Sequence, residues 1–240
     1  MLDKNSPLPI YYQLEAEIRE QIMSGQLQPG DMLPSEREYS EKYSISRMTI
    51  RQAIMNLASE GLITRQKGRG TFVAEKKLEQ PLKGITSFSE EMKAQNLQPT
   101  TQIISFQLIQ AEAYIAQKLQ IHANDPIYKI QRIRLADQEP IAFETTYTPK
   151  KVVGQMTEKD LSSSFYDYIE KELQLTISHG EQEIESTLAN ADEIVHLHLS
   201  KGDPVLFVRR VTYSTSGQPF EYSRTSYRAD KYRYKIQMPR

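Results

Sequence analysis

Between residues 119 and 219 the chain repeats itself, and that repeat constrains the fold more than any other feature. At a constant offset of 78, Asp125-Pro126-Ile127 through Arg134 lies over Asp203-Pro204-Val205 through Thr212, with Arg132 on Arg210 and Ile133 on Val211. The same offset sets Leu119 on Leu197 and Ile121 on Leu199, each closing a short helical segment. Each copy then turns, at residues 136–139 and 214–218, and passes Pro140 or Pro219 into a further strand. A unit of helix, strand, turn and strand used twice predicts two hairpins joined in one antiparallel sheet with helices on a face, an α+β arrangement.

Alternation in the first hairpin puts Tyr128, Ile130, Arg132 and Arg134 on one face. Arginines among apolar neighbours are costly if buried alone, so they either meet carboxylates or await an anion. Glu144 and Glu221, shortly after the two prolines, are placed to share that face, which keeps a purely structural Arg/Glu network open as a reading. Two serine-rich helix starts, Thr86-Ser87-Phe88-Ser89-Glu90-Glu91 and Ser162-Ser163-Ser164-Phe165-Tyr166-Asp167, tilt the balance toward an anion. Free N–H groups at a helix start favour negative charge, and capping accounts for only one serine per helix.

The first third of the chain is written differently. Helix spacing runs from about Pro9 to Met23, with Ile10, Leu14, Ile18 and Ile22 on one face and Gly25 as the stop. A second helix follows Pro34, where Ser35 and Glu38 form a capping-box pair and Tyr39 and Tyr43 face inward. Only Ser44-Ile45 separates it from a third helix, residues 46–60, whose apolar stripe is Ile50, Ala53, Ile54, Leu57 and Ala58 and whose opening turn carries Ser46, Arg47, Thr49 and Arg51. After Gly61 the period changes to two, through Leu62, Ile63 and Arg65, the turn Lys67-Gly68-Arg69-Gly70, and Thr71-Phe72-Val73. Three helices and a basic, glycine-tipped hairpin make a winged helix-turn-helix. Between Ser46 and Lys77 seven basic residues stand against two acidic ones. The formal net charge of the whole chain is only -1, which argues against a protein that coats nucleic acid without selection.

Leu33-Pro34-Ser35-Glu36-Arg37-Glu38, Ser46-Arg47-Met48-Thr49-Ile50-Arg51-Gln52-Ala53, Gly61-Leu62-Ile63 and Lys67-Gly68-Arg69-Gly70-Thr71-Phe72-Val73, in that order, resemble the GntR family of bacterial transcription regulators. The resemblance implies that Arg37 and Arg47 reach guanine edges in the major groove, that Ser35, Ser46, Thr49 and Arg51 hold phosphates, and that Gly68 enters the minor groove between Lys67 and Arg69. Arg37 has an alternative partner in Glu41, four residues on. From about residue 84 the chain resembles the UTRA domain of the HutC branch. Ile85-Thr86-Ser87-Phe88, Arg132-Ile133-Arg134, Ser164-Phe165-Tyr166-Asp167 and Tyr227-Arg228-Ala229-Asp230 look like NagR-type repressors of amino-sugar utilisation, which respond to glucosamine 6-phosphate or its N-acetyl form. By that likeness Ser87, Ser89, Arg132, Ser164 and Tyr166 hold the phosphate, Arg134, Glu144, Glu221 and Tyr227 read the sugar, and Phe88 forms an apolar wall.

The expected organisation is a winged-helix DNA-binding domain over residues 1–74, a linker over 75–84 and an α+β effector-binding domain over 85–240. The likeness implies a homodimer on operator DNA. No apolar run approaches the roughly 20 residues of a membrane span, cysteine is absent, and the opening residues lack signal-peptide order, so a cytoplasmic regulator without cofactor or metal is expected. The rival class is an enzyme, because the UTRA fold is related to chorismate lyase. His122, His179, His196 and His198 show no nucleophile–base arrangement, and no catalytic residue is assigned.

Overall fold

The computed structural model describes residues 2–3, 6–66, 68–74, 77–82, 84–161 and 164–238. The chain divides into two compact units, Met1–Lys76 and Lys77–Arg240.

The first unit opens with α1 (Ile10–Met23), started by Pro9 and ended before Gly25, whose φ of 77° suits glycine best. A two-residue strand β1 (Met32–Leu33) leads to α2 (Glu36–Tyr43), where Ser35 and Glu38 close the expected capping box. The loss of that box in Ser35→Ala is expected to lower stability by about 1 kcal/mol, read by urea denaturation. After a left-handed turn at Ser44 comes α3 (Arg47–Ser59), capped by Ser46. Its predicted stripe is in place: Ile50, Ala53, Ile54 and Leu57 are buried against Leu14, Ile18 and Tyr39. The wing is β2 (Ile63–Gln66) and β3 (Gly70–Val73), and β3 also pairs with β1 to make a three-stranded sheet in the order β1-β3-β2. The β1 pairing was not anticipated, because two residues carry no period.

The second unit begins sooner than expected. Leu78–Pro81 form strand β4, not linker, paired in parallel with the last strand of the chain. Charge misled here: Lys77 donates to the Ala229 carbonyl, Glu79 pairs with Arg233 and Lys235, and Gln80 is buried, so these polar residues are committed rather than solvated. The chain continues through α4 (Phe88–Ala94), β5 (Pro99–Gln110), α5 (Ala113–Leu119), β6 (Pro126–Ala136), β7 (Glu139–Pro149) and α6 (Lys150–Val153). It then passes α7 (Phe165–Asp167), which widens into a π-turn, and β8 (Ile177–Leu188), α8 (Ala191–His196), β9 (Pro204–Ser214), β10 (Pro219–Arg228) and β11 (Tyr232–Lys235).

The repeat is plain in the fold. β5 and β8, α5 and α8, and β6 and β9 each begin 78 residues apart. The six-stranded antiparallel sheet runs β5-β6-β7-β10-β9-β8, the two copies meeting at β7 and β10. The predicted unit lacked its first strand, since β5 and β8 are edge strands whose exposed polar positions hide the alternation. On one face of the sheet, Ile127, Tyr147, Val211 and Tyr222 pack on α5, while Ile133 and Phe143 pack on Leu197 beyond α8. On the other face two apolar clusters form. Tyr128 and Ile130 pack with Phe165, Tyr166 and Phe220, and Ala142, Val208 and Tyr227 pack with Phe88, Met92 and Tyr232. Polar side chains fill the space between them. Among the described residues no helix is long and apolar enough to cross a membrane.

Candidate functional site

Strand register builds the polar region. Arg132 on β6 lies opposite Glu144 on β7, which lies opposite Thr225 on β10, so all three project to the face between the two clusters. Arg134 stands two residues along β6 and reaches the same space, while Arg210 enters from β9 beside Ser223. Thr86, Ser87, Phe88 and Glu91 close the region from α4 and its approach, and Ser164, Phe165 and Tyr166 close it from α7. The cavity between them measures about 40 Å³, room for only a few water molecules.

Arg132 and Arg134 are 2% and 3% exposed. Arg132 Nη2 donates to Glu144 and, at 3.3 Å, to Thr146 Oγ1; Arg134 Nη2 reaches Ser89 Oγ at 3.3 Å and its guanidinium lies 4.9 Å from the Phe88 ring. Three donors remain idle: Arg132 Nε, Arg132 Nη1 and Arg134 Nε are buried with no hydrogen-bond partner. An unmet buried donor costs roughly 1–3 kcal/mol, and more on a charged group, so a structural Arg/Glu network leaves this arrangement unexplained. Arg210 is better held, by Gln182 Oε1 at 2.8 Å and the Thr86 carbonyl at 3.5 Å. Glu221 accepts from Thr212 Oγ1 at 2.8 Å and Tyr166 Oη at 2.9 Å.

Three guanidinium groups, of Arg132, Arg134 and Arg210, share the lining with three carboxyl groups, of Glu91, Glu144 and Glu221. Burial works to raise Glu144, but the charges of Arg132 and Arg134 outweigh it and hold its pKa low. Burial, with the Glu144 charge added, pushes Glu221 up, and burial pushes Glu91 to about 7. Arg134 is lowered to about 10 by burial and the charge of Arg132, well above neutral pH. Burial thus works against negative charge on Glu91 and Glu221, while Glu144 stays paired with Arg132.

Of the residues expected here, Ser87, Phe88, Arg132, Arg134, Glu144, Ser164, Tyr166, Glu221 and Tyr227 line the cavity. Ser89 sits behind Arg134. Ser87 and Ser164 also cap their helices, while Ser162 and Ser163 lie outside the described residues. Arg210 and Glu91 were missed. Arg210 was legible as the repeat mate of Arg132; Glu91 had no signal beyond its place one turn into α4.

The first unit presents a second surface. A groove of about 740 Å³ runs between Ser35–Glu38 and the wing residues Arg65, Gln66, Gly68, Arg69, Gly70 and Thr71. Ser46 Oγ and Thr49 Oγ1 lie 2.8 Å apart at the start of α3, with Arg47 exposed between them. Arg37 pairs with Glu41 at 2.8 Å, worth about 0.3–0.5 kcal/mol on an exposed helix and small beside the 1–3 kcal/mol of a bidentate guanine contact. Arg51 is held by Glu36 at 3.0 Å, and Glu36 also takes Arg65 at 2.9 Å; the Arg51 hydrogen bond leads in holding this carboxylate low. Sequence reasoning did not single out Glu36. Gly68 has a φ of 75° at the wing tip beside the exposed Arg69, and Lys67 lies outside the described residues.

Comparison with known proteins matches a family model to each of the two units. The family model "Bacterial regulatory proteins, gntR family" matches residues 10–73, and the model "UTRA domain" matches residues 94–233. Over 239 residues the chain is 44% identical to the HTH-type transcriptional repressor NagR of Bacillus subtilis (strain 168), covering 100% of this chain and 98% of that protein. It is 31% identical over 228 residues to the mannosyl-D-glycerate transport/metabolism system repressor MngR of Escherichia coli (strain K12), covering 95% of each. The crystal structure of PhnF from Mycobacterium smegmatis superposes with a TM-score of 0.67 at 26% identity, covering 94% of this chain and 98% of that one. Both curated relatives are named as repressors. The chain belongs to the GntR family as a DNA-binding transcriptional repressor of the HutC branch, a winged helix joined to a UTRA domain and similar to NagR.

Proposed function

We propose that the chain is a homodimeric repressor whose operator binding is modulated by a phosphorylated amino sugar, glucosamine 6-phosphate or N-acetylglucosamine 6-phosphate, and that it controls genes of amino-sugar uptake and catabolism. The observation that carries this reading is the set of three idle, buried guanidinium N–H groups on Arg132 and Arg134 in a cavity that Arg210 also lines. Ser87, Ser89, Arg132, Ser164 and Tyr166 take the phosphate. Arg134, Glu144, Glu221 and Tyr227 take the sugar hydroxyls and amine, and Phe88 walls the ring. Sites for drug-sized ligands occupy roughly 300–1,000 Å³, so the occupant must widen this one, and we take Phe88 and Phe165, on its lining, as the cover it displaces.

In this reading the cover carries the signal. Gln80 Nε2 donates to Thr86 Oγ1 at 2.8 Å, and Thr86 Oγ1 donates to Glu91 at 3.0 Å. Gln80 belongs to β4, which follows the wing in the chain after a few residues. Displacing Thr86 therefore disturbs the first strand described beyond the DNA-binding unit. The dimer sets its two winged helices about 34 Å apart, one turn of DNA, and a coupling of about 1–3 kcal/mol is enough for a several-fold to hundred-fold change in affinity. Arg37 and Arg47 read guanines, Ser35, Ser46, Thr49 and Arg51 hold phosphates, and Gly68 enters the minor groove flanked by Lys67 and Arg69.

Operator titrations with and without saturating glucosamine 6-phosphate, or its N-acetyl form, test the proposal; equal affinities with both compounds would sink it. Arg47→Ala is expected to reduce discrimination between operator and random duplex by about 1–3 kcal/mol per half-site while leaving sugar-phosphate binding intact. Competition gel shifts and calorimetry read the two effects separately.

A further inference from the structure

Seen down the axis of α3, the side chains expected to touch DNA do not occupy the centre of the outward face. At about 100° per residue, Met48 lies about half a turn from the buried stripe of Ile50, Ala53, Ile54 and Leu57, with Gln52 and Met55 continuing its line. Arg47 and Arg51 fall to one side of that line and Thr49 to the other. Exposure agrees: Met48 is 68% exposed and Met55 52%, whereas Thr49 is partly covered.

The neighbours on either flank are also tethered. Arg51 is held by Glu36, and Thr49 Oγ1 lies against Ser46 Oγ. In helix-turn-helix proteins the first turn of the second helix meets base edges in the major groove. Met48 is the outermost side chain of that turn, unbranched, long and apolar. The major groove offers an apolar side chain one feature, the C5-methyl group of thymine.

From this geometry we infer that Met48 is a specificity-determining residue that reads a thymine methyl group at one position of the recognised sequence. It forms an apolar contact between the polar contacts of Arg47 and Thr49 and selects thymine over cytosine, which presents an amino group and no methyl. The inference rests on the DNA binding that belongs to the family and is independent of the sugar-phosphate reading.

The test uses the full chain and a duplex that this protein selects from a random pool. Each thymine of that duplex is replaced in turn by uracil, which removes only the methyl group, and affinity is measured at fixed salt for the wild type and Met48→Ala. At one thymine, or at that thymine and its symmetry mate, uracil is expected to weaken the wild type about fourfold, the effect of one buried methyl group. The same change is expected to cost Met48→Ala less than about twofold, with an unchanged melting temperature because Met48 packs on nothing in the core. A wild type indifferent to every uracil, or equal sensitivity in both proteins, would overturn the inference. Selection repeated with Met48→Ser, whose short hydroxyl favours no single base, gives an independent arm: loss of the preference for that thymine is expected, and recovery of the same consensus would count against Met48.

Discussion

Arg132→Gln is expected to weaken glucosamine 6-phosphate binding by about 2–5 kcal/mol, roughly 30-fold or more, and to abolish the response of operator binding to that compound. The substitution removes one of three guanidinium charges and both idle donors of that side chain. An amide can still donate to Glu144 or Thr146, so the pairing that Arg132 now makes is partly kept. Stability is expected to change far less than affinity, because Arg132 is itself only partly satisfied and Arg134 still faces Glu144. Calorimetric titration reads the affinity and urea denaturation the stability. Operator affinity without the sugar phosphate is expected to match the wild type. A variant that binds the compound as tightly as the wild type would show that the idle donors serve no phosphate. One that loses operator binding as well would point to damage to the fold.

The fold was legible where residues repeat at a fixed period. α3 needed only its stripe and its cap, and the wing only its glycines and the change of period after Gly61. The sheet followed from the 78-residue offset. What escaped depended on contacts distant in sequence. Leu78–Pro81 become a strand only because Tyr232–Lys235, some 150 residues later, supply the neighbouring edge. Reading the charges of that segment as solvated missed that Glu79 has two cations waiting on β11. The site divides in the same way. Arg132, Arg134 and Glu144 share a face by alternation and register, which a sequence displays. Arg210 was displayed too, opposite Arg132 in the repeat, but without the β7–β10 junction nothing said that the two copies converge on one cavity. Glu91 depended wholly on three-dimensional packing. Its neighbours Thr86, Tyr232 and Arg210 come from three separate parts of the chain.

Glu91 also gives the stability of the protein a pH dependence of definite sign. Its carboxyl is buried beneath Tyr232 Oη at 2.9 Å and Thr86 Oγ1 at 3.0 Å, and burial raises its pKa from 4.5 to about 7. Between those values the folded chain holds a proton that the unfolded chain has released, so stability falls as pH rises from about 4.5 to about 7 and levels off above. At 1.36 kcal/mol per unit the loss approaches about 3 kcal/mol. Glu91→Gln keeps the shape and a partner for each hydroxyl but carries no charge. The variant is expected to match the wild type near pH 4.5 and to exceed it by up to about 3 kcal/mol at pH 8, measured by urea denaturation across that range. Arg134 and Arg210 oppose the shift and Tyr232 and Thr86 hydrogen-bond to the ionised form, yet burial outweighs all four. Parallel stability curves for the two proteins would show that Glu91 ionises as freely in the fold as outside it. A phosphate dianion seated at Arg132, in the cavity that Glu91 also lines, would push the Glu91 carboxyl further toward its protonated form. Binding of the sugar phosphate at pH 7.5 is therefore expected to take up part of a proton, seen as a dependence of the calorimetric heat on the ionisation enthalpy of the buffer, and to lose that dependence in Glu91→Gln.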